Sequence, residues 1–569
     1  MSKRAYEPEE APSAPSKRVR PSGPNDLLPG LHSFCYISRL SDEILLNIFE
    51  RLSLEQILSC QSVSHRWQQI STDPELWKYL YFIRYVKPRL AHLHARSRSR
   101  VASREWWDKE TTQNEGGSRK DWKQLFKVRH NWHKGRCAVS EMDISSLSSR
   151  QEHSEFPPKS SFWEELETPT TAPLVQFDGR IFISADREVG LRAWDIGCKE
   201  KGPHKVVGAR QFRLYEQGWE LGEPTALAID GGEINPNPNI IVGFGSGGVM
   251  ILQLHPMESV EGNDYGFYVR FVLPPAVTPA RIIHVTYSYP YLLTLDVDNY
   301  LRAYVFERDS TNLGNPRPLA TLQAQALRGP CNLTLRRRKI GLEETVTASI
   351  AYSMPLFHGG WSVGIQEVVL DLTCVDGISR TRIGTSSPRT YSLQLHPDVV
   401  TPNVRSMSVP SASPTSISYS HPYLLTSHRD NTLTLYLVRS TDKEISIGQP
   451  RRLWGHTTGV ARAGVAGRGR AVSVSQIGGE VRVWELESIA AAVGKADAEF
   501  QDGGVVGVVE SVRLENATPS RAGKQLYLDT VPRAGPLAVD WIGFDDEKVL
   551  VLTREYERDK NVTLYDFTF

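Results

Sequence analysis

SYPYLLTLDVDNYLRAYVF (residues 288–306) and SHPYLLTSHRDNTLTLYLV (420–438) are two copies of one unit. Tyr-Leu-Leu-Thr recurs at the same place, and Asp-Asn stands six and five residues before the last Tyr in each. Each copy reads as two short apolar strands joined by a tight polar turn. Asp298-Asn299 and Asp430-Asn431 suit a turn that needs positive φ. Looser copies lie at FISADREVGLRAWDI (182–196), IIVGFGSGGVMILQL (240–254), AVSVSQIGGEVRVWEL (471–486) and VLVLTREYERDKNVTLYDF (549–567).

The anchor residues Trp194, Leu252, Tyr304, Tyr436, Trp484 and Tyr565 are 58, 52, 132, 48 and 81 residues apart. The gap of 132 holds two units, and its middle, WSVGIQEVVLDL (361–372), is apolar and strand-like. Seven units of roughly 60 residues result, somewhat longer than common propeller repeats. Seven four-stranded units closing on themselves make an all-β propeller over 132–569. A pair of β-sandwiches leaves the spacing unexplained. CAVSEMDI (137–144) is expected as the outer strand of the last unit, pairing with LYDF (564–567) and removing an open sheet edge. GFGSGG (243–248) sits between two strands and reads as a hairpin turn, not a phosphate loop.

Upstream the text changes character. YISRLSDEILLNIFERLSLEQILSCQSVSHRWQQISTDPELWKYLYF (36–82) reads as four short helices. Ser41 can cap the first, with Asp42 and Glu43 in its first turn, where the helix dipole favours anions. Ile44, Leu45, Ile48, Phe49 and Leu52 recur at helical spacing. Ser53 with Gln56 has the form of a capping box for the second. Val63, Trp67 and Ile70 mark the third. Asp73-Pro74 opens the fourth. So small a helical unit carries more apolar surface than its own core can hide, which points to docking on a partner or on the downstream domain.

This run resembles the F-box. Leu40, Glu43, Ile44, Leu45, Ile48, Phe49, Leu52, Leu58, Val63, Trp67, Asp73, Leu76 and Trp77 match its pattern, while Ser41 stands where the family usually has Pro. The downstream units resemble WD repeats, best at the sixth, where WGH (454–456) precedes VRVWEL. There His456 is expected to bond a turn aspartate, but Gly478-Gly479 replaces it. NWHKGRC (131–137) resembles the segment that opens the propeller in F-box/WD-repeat proteins.

The implied architecture is a tail (1–35), an F-box (36–82), a basic helical linker (83–131) and the propeller (132–569). The implied function is substrate receptor of a ubiquitin ligase. The F-box docks on a Skp-family adaptor, and through it on cullin and RING subunits, while the propeller holds the target. The adaptor face implied is Leu40, Ser41, Ile44, Leu45, Ile48, Phe49, Leu52, Val63 and Trp67. Such propellers read phosphorylated or acidic peptides with arginines, and the candidates are Arg187, Arg302, Arg429, Arg451 and Arg452. A non-degradative scaffold tethered through its F-box is the alternative.

Composition bounds the rest. The chain has 569 residues, 40% hydrophobic and 23% charged, ordinary globular usage that calls for more than one domain. Net charge is +1, but residues 84–136 hold 15 Lys/Arg against 5 Asp/Glu. That basic block reads as a solvated connector or an acidic-partner surface. Its interleaved Arg and Trp suit single-stranded nucleic acid, yet no recognition motif accompanies them. Lys3-Arg4 and Lys17-Arg18-Val19-Arg20 resemble a bipartite nuclear import signal. No apolar run is long enough for a membrane span. Six scattered cysteines without a C-x-x-C pair read as thiols in a reducing compartment. No HExxH, GxSxG or phosphate loop appears, so no cofactor, metal or catalysis is expected. His421, His428 and His456 read as structural hydrogen bonders.

Overall fold

The computed structural model describes residues 36–87, 121–143 and most of 174–569, with its longer breaks at 197–221, 387–411, 487–510 and 517–537. The N-terminal tail with its basic clusters, and the Arg/Trp-rich part of the linker at 88–120, lie outside the described residues. The chain divides into two compact units, Met1–Tyr79 and Leu80–Phe569.

The first unit holds α1 (Asp42–Phe49), α2 (Leu54–Cys60), α3 (His65–Ser71) and most of α4 (Pro74–Tyr81). Their starts follow the sequence signals. Ser53 and Gln56 form the reciprocal capping box. Asp73 Oδ1 accepts the Glu75 N–H at 2.8 Å, with Pro74 in the first helical position, where a missing N–H is harmless. Val63 precedes α3 and belongs to no helix.

The second unit takes in the end of α4 and the π-helical turn Phe82–Val86, and then α5 (Trp122–Lys134). Asp121 caps it by accepting from the Lys123 and Gln124 N–H groups. Gly135 ends it at φ 68, a conformation that costs other residues. A Cβ there would also lie 2.4 Å from Arg513 O. The helix thus turns directly into the strand Arg136–Asp143.

Seven antiparallel sheets follow, here blades 1 to 7 in chain order of their innermost strands. Those strands are Leu174–Asp178, Pro224–Asp230, Ile282–Ser288, Cys331–Ile340, Ser416–Ser420, Val460–Val465 and Ala538–Phe544. Each lies against the next, and the last lies against the first, so the ring is closed. The expected closure is present: Arg136–Asp143 pairs antiparallel with Asp559–Asp566, Val139 opposite Tyr565. Glu515–Asn516 adds a short parallel pairing on the far side of that strand.

The repeat alignment holds at residue level. In six blades the anchor residue sits on the third strand opposite the second residue of the second strand. The pairs are Trp194–Phe182, Leu252–Ile240, Tyr304–Leu292, Tyr436–Leu424, Trp484–Ala471 and Tyr565–Val549. The long gap contains blade 4, whose third strand is Trp361–Leu370. Asn299 (φ 66) and Asn431 (φ 64) occupy the positive-φ turn positions.

Besides blade 7 with its added Glu515–Asn516 pairing, two blades depart from four regular strands. Blade 1 shows three among the described residues. In blade 5 the outer strand is split into Ile445–Ile447 and Arg451–Trp454, both paired with Thr432–Ser440. Pro450 lies in the interruption, where it cannot donate to the ladder.

The core is seven apolar seams, one between each pair of neighbouring blades. This is why the ring must close: an open end would leave one seam in water. One seam carries a buried polar clasp. Glu367 of blade 4 accepts from Arg382 at 2.9 Å and, across to blade 5, from Ser440 at 2.7 Å and Tyr419 at 3.4 Å. No repeat pattern marks this residue.

Candidate functional site

The helical unit presents two stripes of α1. Leu45 and Phe49 point inward, Phe49 being 1% exposed and edge-on to Trp67 with ring centroids 5.4 Å apart. Ile44 and Ile48, one residue earlier in each turn, point outward at 48% and 42% exposure. Leu58 and Val63 are exposed as well. Leu40, Leu52 and Trp67 are half-buried. The residues read as one docking set thus separate into a core pair, a half-buried shell and an exposed apolar face.

Ser41 occupies the N-cap position in extended geometry, but its side chain makes no cap hydrogen bond. Its hydroxyl bonds the Glu43 carboxylate instead. The Glu43 backbone N–H and this hydroxyl together hold that carboxyl below its usual range. The start of α1 is fixed by a residue the pattern did not single out. The Arg66 guanidinium reaches Asp42 Oδ1 at 2.7 and 2.9 Å and also donates to the Leu40 carbonyl, tying α3 to α1. In sequence Arg66 lies 24 residues from Asp42, so no spacing rule announces the clasp.

In the propeller unit, the candidate arginines scatter. Arg187 lies outside the described residues. Arg302 turns inward: it pairs with the fully buried Asp296 and lies over the Tyr300 ring, which removes it from the outer surface. Arg452 leans toward Asp430 at 4.0 Å, and Arg451 is half-buried on the same strand. Arg429 stands exposed at the tip of a turn. The four described arginines do not form one cluster, since Arg302 belongs to blade 3 and the others to blade 5.

A WD-like polar network links Trp484, Ser473 and His456 in blade 6. Trp484 Nε1 donates to Ser473 Oγ at 2.8 Å, and Ser473 Oγ meets His456 Nε2 at 2.6 Å. The Ser473 hydroxyl, accepting from Trp484, still has its own proton to give to Nε2, the assignment that puts the ring proton on Nδ1. That proton faces Glu480 Oε2 at 3.5 Å. Glu480 therefore stands in place of the expected turn aspartate, one residue past the glycines that displaced it, as a carboxylate neighbour of the ring rather than its hydrogen-bond acceptor. Burial disfavours its charge, but the Arg482 hydrogen bond at 2.8 Å and the neighbouring cations win, and its carboxyl lies below the usual range. His428 of blade 5 bonds Thr426 and Thr434 at 3.0 and 3.1 Å, and His421 faces Tyr419. These histidines act as structural hydrogen bonders. Among the described residues, Trp194 Nε1 and Ser184 Oγ of blade 1 have no hydrogen-bond partner, and neither have His428 Nδ1 and His456 Nδ1.

Burial pushes both His428 and His456 down to about 4. Asp430 and Arg452 face the first, Glu480 and Arg482 the second. An unfolded histidine takes up its proton near 6.5, before the folded one does, so stability falls as pH drops from about 6.5 to about 4. Each residue contributes up to about 3 kcal/mol by that linkage. Asp545, pushed up to about 6 by burial, works in the opposite sense over part of this window. His284, also pushed down to about 4 by burial, acts in the same sense, and the three histidines outweigh Asp545, so the propeller melting temperature should fall between pH 7 and pH 5. His428→Asn with His456→Asn should make that profile shallower, leaving the His284 part, while lowering stability at pH 7; an unchanged slope would contradict it.

Comparison with known proteins agrees with this division. A family described as F-box-like matches residues 37–83, and one described as F-box protein pof12 beta-propeller matches residues 164–568. The chain is 24% identical over 451 residues to F-box protein pof12 of Schizosaccharomyces pombe, covering 79% of this chain and 84% of that protein. It is 41% identical over 75 residues to F-box protein dre-1 of Caenorhabditis elegans, covering 13% of this chain and 8% of that protein. Among solved structures, the Cps50 (Swd1) beta-propeller domain of Myceliophteria thermophila aligns at TM-score 0.33 and 9% identity, over 69% of this chain and 96% of that one. With the propeller match spanning well over half of its length, the chain belongs to the F-box protein pof12 beta-propeller family.

Proposed function

We propose that this F-box protein is the substrate-receptor subunit of a Skp–cullin–F-box ubiquitin ligase. The observation that carries the reading is the exposed apolar face of Ile44, Ile48, Leu58 and Val63 on an F-box-like helical unit, in a chain whose remainder is a closed propeller. Exposed aliphatic side chains grouped on one small unit are suited to burial against a partner. The partner here is a Skp-family adaptor. The contribution of this chain is positional. Held by one unit to the ligase and by the other to the target, it raises the effective concentration of target lysines near the ubiquitin-loaded enzyme. The chemistry belongs to other subunits. Lys3-Arg4 and Lys17-Arg20 would direct the chain to the nucleus.

Purification of the tagged full chain from its own cells tests the reading. Co-purification of adaptor together with cullin is the expected result. Adaptor without cullin would favour the scaffold alternative, and the absence of both would sink the proposal.

A further inference from the structure

We propose that the propeller grips an unphosphorylated acidic peptide carrying an apolar side chain, at the loops where blades 5 and 6 meet. This deepens the substrate-receptor reading by naming the class of target segment.

Three loops form one hydrogen-bonded platform. They are the turn 428–431 of blade 5, the connection 455–459 into blade 6, and the described residues Gln476, Ile477, Gly479 and Glu480 of the blade 6 turn. Asn431 Nδ2 donates to Thr457 O at 3.0 Å, and the Val460 N–H to His428 O at 3.0 Å. The Gln476 N–H donates to Gly459 O at 2.7 Å, and Thr458 Oγ1 to Ile477 O at 3.3 Å. Loops so tied lose little further freedom when a ligand binds.

The platform holds the two most exposed large apolar side chains of the propeller unit among the described residues, Trp454 at 64% and Ile477 at 66%. Trp454 ends its strand opposite Thr432, immediately before the 455–459 connection. One exposed hydrophobe on a surface means little, but a tryptophan and an isoleucine on mutually bonded loops with arginine beside them have the composition of an interface hot spot.

Charge decides the ligand. Arg482 is held by Glu480 at 2.8 Å, and Arg452 faces Asp430 at 4.0 Å. Arg429 is exposed on the 428–431 turn, next to Asp430 in sequence, with no ion pair among the described residues. The platform therefore has one cation in excess. That matches a carboxylate. A phosphate dianion would need a second uncommitted arginine and would meet the exposed Asp430 beside Arg429.

A displayed library of unphosphorylated twelve-residue peptides, selected on the full chain, tests this. Enriched peptides should share an aromatic or aliphatic residue next to Asp or Glu. Trp454→Ala and Ile477→Ser should each weaken them about tenfold or more. Arg429→Ala should weaken them several-fold and flatten the salt dependence. Ile383→Ser, an exposed apolar control on blade 4, should change nothing, and all variants should melt as the wild type does. An empty selection overturns the proposal. So does equal binding by Trp454→Ala, a requirement for phosphoserine, or wild-type self-association that Trp454→Ala abolishes. Adaptor capture by the same variants is a separate readout, so loss of adaptor binding and loss of peptide binding remain distinguishable.

Discussion

Ile44→Asp combined with Ile48→Asp is expected to weaken adaptor binding about a hundredfold or more while leaving both units folded. The two side chains are among the most outward-facing apolar groups of α1, at 48% and 42% exposure. Neither fills the bundle core, so the charges are solvated in the free protein and cost little. On docking they would have to be desolvated against an apolar partner, a penalty of several kcal/mol unless paired. Phe49→Asp serves as the contrast. That ring is buried edge-on to Trp67, so a carboxylate there should unfold the helical unit and lose binding by a different route. Pull-down with the adaptor, with far-UV circular dichroism of the helical unit and melting of the propeller, separates the cases. Full adaptor binding by the Ile44→Asp/Ile48→Asp variant would show that the docking face lies elsewhere.

Trp132→Ala is expected to destabilise the propeller by about 3–5 kcal/mol, the range for removing a buried tryptophan. The residue belongs to α5, before the first propeller strand, yet none of its surface is exposed. Its ring stacks on Phe567 with centroids 4.0 Å apart, its Nε1 donates to Asp546 O at 2.8 Å, and Arg470 lies over its other face at 5.3 Å. Asn131 donates to Phe567 O at 2.9 Å, and Arg129 pairs with Glu485 of blade 6 at 3.1 Å. The helix is therefore a bolt across the seam between blades 6 and 7, next to the blade 7 strand pair that closes the ring. Its loss should unlatch the pairing of Arg136–Asp143 with Asp559–Asp566. Chemical denaturation measures the effect, and hydrogen exchange should show faster exchange first in blade 7. A loss below about 1 kcal/mol would mean that the closing strand pairs hold without the helix.

Much of the architecture was legible in the residues because it rests on local rules. Period-two apolar runs around Asp298-Asn299 and Asp430-Asn431 announce hairpins, since each turn needs its own positive φ. Repetition of those hairpins announces blades. The capping box at Ser53-Gln56 and the Asp73-Pro74 start announce helices. Even the closing strand at 137–144 could be placed, because a ring of strands leaves one edge unpaired.

What only the tertiary structure decided are matters of direction and partnership between distant residues. Helical spacing groups Ile44, Leu45, Ile48 and Phe49 together, and only packing against α3 assigns Leu45 and Phe49 to the core and Ile44 and Ile48 to the surface. Composition offers Arg302 and Arg429 as equals. The buried carboxylate of Asp296 claims the first, because an isolated charge inside the blade would cost more than the pairing does. His456 finds Glu480 where the repeat pattern shows only glycines, and Arg66 finds Asp42 across 24 residues. Sequence determines the elements through periodicity and turn chemistry. The fold alone determines which charged group meets which, because that depends on distances no spacing along the chain records.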